Sequence, residues 1–294
     1  MKFARFASLM LVLFAAIANA QSQTPAEWKP IEDAMGRSGQ PQPDGTLKFG
    51  MPRKDLTVTL DGTQIKPGLA LGAWADFKGS GSNSMVMGDL VLTEDEVEPV
   101  MLKLQQNGIQ ITALHNHLLG ESPHVMYMHI EGHGEAAKLA ASLHDALALT
   151  KTPAATPPSA TPPAIELDTA QIDSAMGRKG KNNGGIYQFG VPRAEKITDD
   201  GMEVPSSMGV ATAINFQPTG NGNAAITGDF VLLGNEVNPV MQTLRENGIS
   251  VTAVHSHMLM ENPRLYFMHF WANANAVQLA KGLRAALDKT NSAK

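Results

Sequence analysis

Leu139, Leu143 and Leu147 recur at i, i+4, i+8, and Leu279, Leu283 and Leu287 repeat that spacing 140 positions later. This is the stripe of an amphipathic helix that buries one face. Upstream, strict alternation puts Ile109, Ile111, Ala113, His115 and His117 on one side of a predicted strand, and Val125, Tyr127, His129 and Glu131 on one side of the next. Shorter apolar runs predict strands at 47–50, 56–60, 69–77 and 85–92 and a short helix near 31–36. A further helix through Val100, Leu102 and Leu104 stops at Asn107-Gly108, with Asp95 as expected N-cap and Glu98 to complete it. Strands cluster rather than alternate singly with helices, so the fold class expected is α+β, a largely antiparallel sheet packed with two or three helices.

The whole pattern occurs twice. Phe49-Gly50-Met51-Pro52-Arg53 answers Phe189-Gly190-Val191-Pro192-Arg193, and Gly88-Asp89-Leu90-Val91-Leu92 answers Gly228-Asp229-Phe230-Val231-Leu232. Two homologous domains follow, at 21–150 and 165–294. Between them, residues 151–164 (KTPAATPPSATPPA) hold five prolines and read as an extended spacer. Residues 1–20 carry Lys2 and Arg5, an apolar run from Leu9 to Ile17 and the small-residue motif Ala18-Asn19-Ala20. That is the pattern of a secretory signal peptide cleaved after Ala20, which makes the periplasm or the cell exterior the expected location, without stable membrane insertion.

The best-kept part of the repeat carries its chemistry. GIQITALHNHLLGESPHVMYMH at 108–129 matches GISVTAVHSHMLMENPRLYFMH at 248–269, so His115, His117, Glu121 and His129 recur as His255, His257, Glu261 and His269. A hairpin that sets His115 opposite Tyr127 leaves His129 diagonal to it on the same face, roughly 7 Å away at the backbone. Glu121, at the mouth of the loop, completes a candidate His₃Glu set. Three imidazoles and a carboxylate suit Zn²⁺, Mn²⁺ or Fe²⁺ with positions left for water or substrate. The competing reading makes these histidines core residues in a hydrogen-bonded network. Arg53 and Arg193 are candidate anion clamps or structural ion-pair partners. Asp89 and Asp229 are candidates to hydrogen-bond a ligating histidine, or plain sheet-edge carboxylates.

Composition trims the alternatives. The absence of cysteine removes disulfides and thiolate sites. Without Lys2 and Arg5 the chain has 21 basic against 28 acidic residues, a charge of −7 that argues against a nucleic-acid partner. No G-x-S-x-G elbow, H-E-x-x-H helix or phosphate-binding glycine loop occurs. The His-x-His and following glutamate are similar in spacing to the cupin metal motif. However, the glycine expected after the glutamate is missing, and His129 follows too soon for the second cupin motif.

The pattern T-A-[LV]-H-x-H-[LM]-[LM]-x-E-x-P, then M-H, preceded by N-G-I, resembles the LppY/LpqO family of exported bacterial proteins, in both copies. That resemblance implies export and the domain definition but no reaction, and the chain lacks the lipobox cysteine that many such proteins carry. The expectation is therefore an exported two-domain protein with one metal- or small-ligand site per repeat. Its alternatives are a metal-dependent hydrolase using the same residues, and a non-catalytic envelope module with structural histidines. The expected partner is a small molecule or metal ion. Catalytic residues and any protein partner stay unassigned.

Overall fold

The computed structural model describes residues 26–154 and 162–293. The expected signal peptide at 1–20 and the middle of the expected linker lie outside the described residues. In the first repeat, α1 (Lys29–Met35), β1 (Gln40–Pro41) and β2 (Thr46–Pro52) lead into a small hairpin, β3 (Val58–Leu60) and β4 (Thr63–Ile65), and a single helical turn, α2 (Pro67–Ala70). Then come β5 (Gly72–Lys78), β6 (Ser84–Thr93), α3 (Glu94–Gln106), β7 (Gln110–His115), β8 (Val125–Gly134) and α4 (Ala136–Leu147). The second repeat follows the same order: α5 (Thr169–Met176), β9 (Lys181–Asn183), β10 (Ile186–Pro192), the hairpin β11 (Thr198–Asp199) and β12 (Met202–Glu203), and a 3₁₀ turn at Ser206–Met208. It ends with β13 (Ala211–Gly220), β14 (Asn223–Leu232), α6 (Val237–Glu246), β15 (Ser250–His255), β16 (Tyr266–Asn275) and α7 (Ala276–Leu287).

Each repeat is an α+β domain built on one six-stranded antiparallel sheet, ordered β1-β2-β5-β6-β8-β7 and β9-β10-β13-β14-β16-β15. Helices cover one face of each sheet. Val86, Leu90, Leu92 and Ile130 pack there with Ile31, Met35, Leu139 and Leu143. In the second repeat Ile226, Phe230 and Phe270 meet Ile172, Met176, Leu279 and Leu283. Each such aliphatic side chain contributes about 1.5–3 kcal/mol on burial.

The other face of each sheet is covered by the other repeat. Met85 and Met87 join Met208, Val231, Met258 and Phe267 in one cluster, and Trp271 and Ala225 enter the core of the first repeat. Strand β6 is consequently buried from Ser84 to Leu92, because neither face meets water. The small hairpins do the covering. Gln217 accepts from Lys66 N (2.9 Å) and donates to Gln64 O (2.7 Å), and Asn273 reaches Thr63 (3.0 Å), so the β3–β4 hairpin lies on the second sheet. Reciprocally, Ser207 bonds Asp44 and Thr46, and Lys78 donates to Glu203 O, so the β11–β12 hairpin and the turn after it lie on the first. Asp61-Gly62 and Asp200-Gly201 turn these hairpins, and all four have positive φ. Asp-Gly supplies the paired left-handed conformations that a tight two-residue turn requires.

Three local expectations change. The cap of α3 is Thr93 with Glu96, a reciprocal capping box, and not Asp95 with Glu98. The 56–60 strand is half of the hairpin, and the start of 69–77 is the turn α2. Among the described residues no helix is long and apolar enough to cross a membrane.

Candidate functional site

Strand β7 does not keep one face. Ile111 pairs with Ile130 and Ala113 with His129, so Thr112 is one residue too many on its side of the ladder. An extra residue in a period-two strand reverses which side chains point where. Ile109 and Ile111 therefore belong with the helix-facing core, while Ala113 and His115 turn to the face that meets the other repeat. The same bulge lies between Val251 and Ala253. The expected row from Ile109 to His117 is thus broken at Thr112. His115 pairs with Tyr127, as the hairpin register expected, and His129 pairs with both Ala113 and Asp89.

Because the two sheet faces oppose each other, the two histidine sets meet. The expected histidines of the second repeat, His255, His257 and His269, come together as one set, and with those of the first repeat the six rings form one cluster on the pseudo-two-fold axis. His115 stacks on His255 at 3.5 Å between ring centroids. On one side His117 is sandwiched between Tyr127 (3.4 Å) and His269 (3.8 Å). On the other, His257 lies between Phe267 (3.3 Å) and His129 (3.6 Å). Thr252 Oγ1 donates to His117 O at 2.6 Å, and Asn116 Nδ2 to Thr252 O at 3.2 Å, closing the repeats beside the rings.

Hydrogen bonds fix the tautomers. Nδ1 of His115, His255 and His269 lies 2.9–3.2 Å from a backbone carbonyl (Asn116, Ser256 and Gly228), which can only accept. Each Nδ1 therefore carries the proton, and each neutral ring keeps a lone pair on Nε2. Nε2 of His115, His117, His129 and His257 is buried without a hydrogen-bond partner. Nε2 of His255 and His269 face each other at 2.8 Å, two lone pairs with nothing between them to share. Three triads, His115–His129–His255, His115–His117–His269 and His255–His257–His269, hold their ligand atoms within 4.8 Å of one another.

Burial dominates the electrostatics. It pushes His115 down to about 3, helped by the neighbouring His255, and His269 down to about 4 against the pull of Asp229. His117, His129 and His257 are driven well below the ordinary imidazole value, again by burial first and neighbouring rings second. At neutral pH the six rings are uncharged, the form that binds metal. Asp89 Oδ2 lies 3.5 Å from His117 and 3.8 Å from His129, and Asp229 Oδ2 lies 3.2 Å from His257. None of these contacts is aligned as a hydrogen bond at the ring nitrogen. Burial raises both carboxyl groups, Asp89 well above its usual range with Asp229 adding to it.

The remaining expected site residues lie elsewhere. Glu121 and Glu261 are buried beside the loop, where each accepts a backbone N–H (Val125 and Leu265) and pairs with His124 (2.7 Å) or Arg264 (3.2 Å). They belong to none of the three triads. Arg53 is fully buried; its guanidinium donates to Glu96, Asp55 and Val91 O. Arg193 repeats this with Glu236, Glu195 and Val231 O. With its donors engaged by the fold, neither arginine is placed as an anion clamp. Tyr127 and Phe267, the flanking rings of the stacks, were missed as site residues; their signal was the expected pairing opposite His115 and His255.

A family model described as Domain of Unknown Function (DUF1259) matches residues 29–149 and again 170–289. No curated protein matches the chain. Among solved structures, a trimeric bacterial microcompartment shell protein, PduB, aligns over 83% of this chain and 88% of its own at 10% identity and a TM-score of 0.20. EtuB from Clostridium kluyveri aligns over 84% and 89% at 8% identity and a TM-score of 0.19. At such scores the likeness carries no argument about fold or function.

Proposed function

Because the chain belongs, in both of its repeats, to this family of unknown function, we propose a function from the histidine cluster alone: the protein binds a transition-metal ion, one per chain, at a centre shared by the two repeats. The observation that carries this reading is the set of buried Nε2 atoms without hydrogen-bond partners, with the facing Nε2 pair of His255 and His269. Buried polar atoms are almost always hydrogen-bonded, and leaving one unpaired costs about 1–3 kcal/mol. A cation at the dyad turns this cost into a ligand bond at each ring that it binds. Asp89 and Asp229 stand beside the rings to offset its charge.

Stoichiometry follows from the overlap of the triads. Any two of them share a histidine, so two ions cannot each hold three rings. Duplicated motifs thus give one ion rather than two. The triads contain only imidazole nitrogen, which suits Zn²⁺, Cu²⁺, Ni²⁺ or Fe²⁺ better than Mn²⁺. The LppY/LpqO resemblance and the signal-like first twenty residues support a setting outside the cytoplasm.

Metal analysis of the untagged protein tests the reading. One ion per chain, lost in His115→Ala, is the expected result; no ion, or two, overturns it. Three protein ligands leave a coordination position for water, so hydrolysis is the second reading. Turnover of phosphoester and carboxylester panels that disappears with the ion would support it.

A further inference from the structure

The stacked rings of the centre are as close as atomic contact allows. Carbon atoms in contact lie about 3.5–4.0 Å apart. The centroids of His115 and His255 are 3.5 Å apart, and those of His117 and His269 are 3.8 Å apart. His129 and His257 lie at 3.6 Å, with Tyr127 and Phe267 closing the stacks at 3.4 and 3.3 Å. No molecule fits between two such rings, so a ligand for the ion has to come in past ring edges. Few edges are open. His115 is buried, and the side chains of His129, His257 and His269 are between 2% and 7% exposed. Those of His117 and Asp229 are each 17% exposed, and His255 is half-buried. Beside His117 the way in is narrowed by a clasp between the repeats: Thr252 Oγ1 donates to His117 O at 2.6 Å, and Asn116 Nδ2 to Thr252 O at 3.2 Å.

Resting on the metal centre proposed above, we infer the class of molecule that it takes: small inorganic ligands of two or three atoms besides hydrogen, such as dioxygen, its reduced forms or azide, to the exclusion of organic molecules. Three protein ligands leave a tetrahedral ion one open position. Each of the three triads contains His117 or His255. Whichever triad holds the ion, one ligand is therefore a part-open histidine, and the approach along its edge is the same narrow one. Close-packed walls give way only when side chains shift or leave their rotamers, so a wider molecule is penalised at every wall it meets. A rod of three atoms passes such a gap end-on. A ring or a branched ester has no orientation in which it is as thin.

The test loads the full chain with Cu²⁺, removes excess metal, and titrates the protein with azide and with imidazole. Both bind copper in water, and they differ in girth. Azide should add a ligand-to-copper charge-transfer band. Imidazole should leave the visible and electron paramagnetic resonance spectra unchanged until its concentration is about 100-fold above that needed for azide. Thr252→Ala, which removes the hydroxyl of the clasp, should let imidazole bind and shift the azide Kd by less than about twofold. Imidazole binding to the parent as tightly as azide overturns the size limit. So does a copper spectrum that azide does not move, or turnover of the ester panels by the metal-loaded chain. Failure of the chain to retain copper overturns the metal reading itself, and the size limit falls with it.

Discussion

Two buried polar clusters are duplicated in this protein, and they differ in whether they are complete. Around Arg53 and Arg193, each guanidinium donates to two carboxylates and a carbonyl, and Glu96 also accepts from Thr93 N (3.0 Å) and Lys151 N (2.9 Å). Around the dyad, Nε2 of four of the six rings has no hydrogen-bond partner, and Nε2 of the other two, His255 and His269, face each other at 2.8 Å. Duplication and burial are common to both. Saturation separates them: the arginine clusters are finished by the fold, and the histidine cluster is finished only by something the fold does not supply.

Substitutions can break that distinction. The largest effect is expected from His255→Ala, which belongs to two of the three triads. Metal content should drop from one ion per chain to below about a tenth, while the ion-free protein keeps its stability within about 1 kcal/mol, because it loses an unsatisfied group. Urea unfolding and elemental analysis read the two halves, and a metal content unchanged from the parent would collapse the comparison. Arg53→Ala should do the reverse. Stranding Glu96 and Asp55 costs about 3–5 kcal/mol in urea unfolding, and any metal is retained in whatever protein folds.

Next in size is acid. The histidines are held below their unfolded values, so their contribution is complete above pH 6.5 and is lost as pH falls toward the range of His269 (about 4) and His115 (about 3). In chelator, the parent's Tm should fall across that window, and less steeply in His115→Ala. Asp89→Asn should leave the fold intact and weaken metal binding about 10- to 100-fold by competitive titration. The smallest effect is expected at the loop: His124→Ala removes a partly exposed pair with Glu121 and should change stability by less than about 1 kcal/mol.

Much of this was legible in the chain. Alternation and the i, i+4, i+8 leucines gave the sheet-and-helix domains, and the matched histidines marked the centre. The capping box is readable as Thr93-Glu94-Asp95-Glu96, two residues before the expected pair Asp95 and Glu98. The bulge at Thr112 was not readable. It is set by pairing with β8, and nothing in Ile-Thr-Ala announces an extra residue. The shared centre was hidden for a different reason. Trp271 enters the same core as Leu60 across the dyad, and a proline-rich spacer suggests separation rather than docking. Glu121 reads as a ligand because a carboxylate stands near histidines, whereas here it accepts the backbone N–H of Val125 and joins none of the triads.

The position of the centre on the dyad has a consequence for how such a chain can change. A single repeat carries three histidines on an uncovered sheet face, which is half a centre with half its walls. In oligomer terms the protein is an isologous dimer whose subunits share one polypeptide. A tether sets a high local concentration of the missing half, so assembly does not depend on how much protein is present. It also removes the requirement that both halves be the same. Tyr127 can flank one stack while Phe267 flanks the other, and Glu131 can stand in one repeat where Trp271 stands in the other. A true homodimer must accept every substitution twice, and this chain accepts each one once.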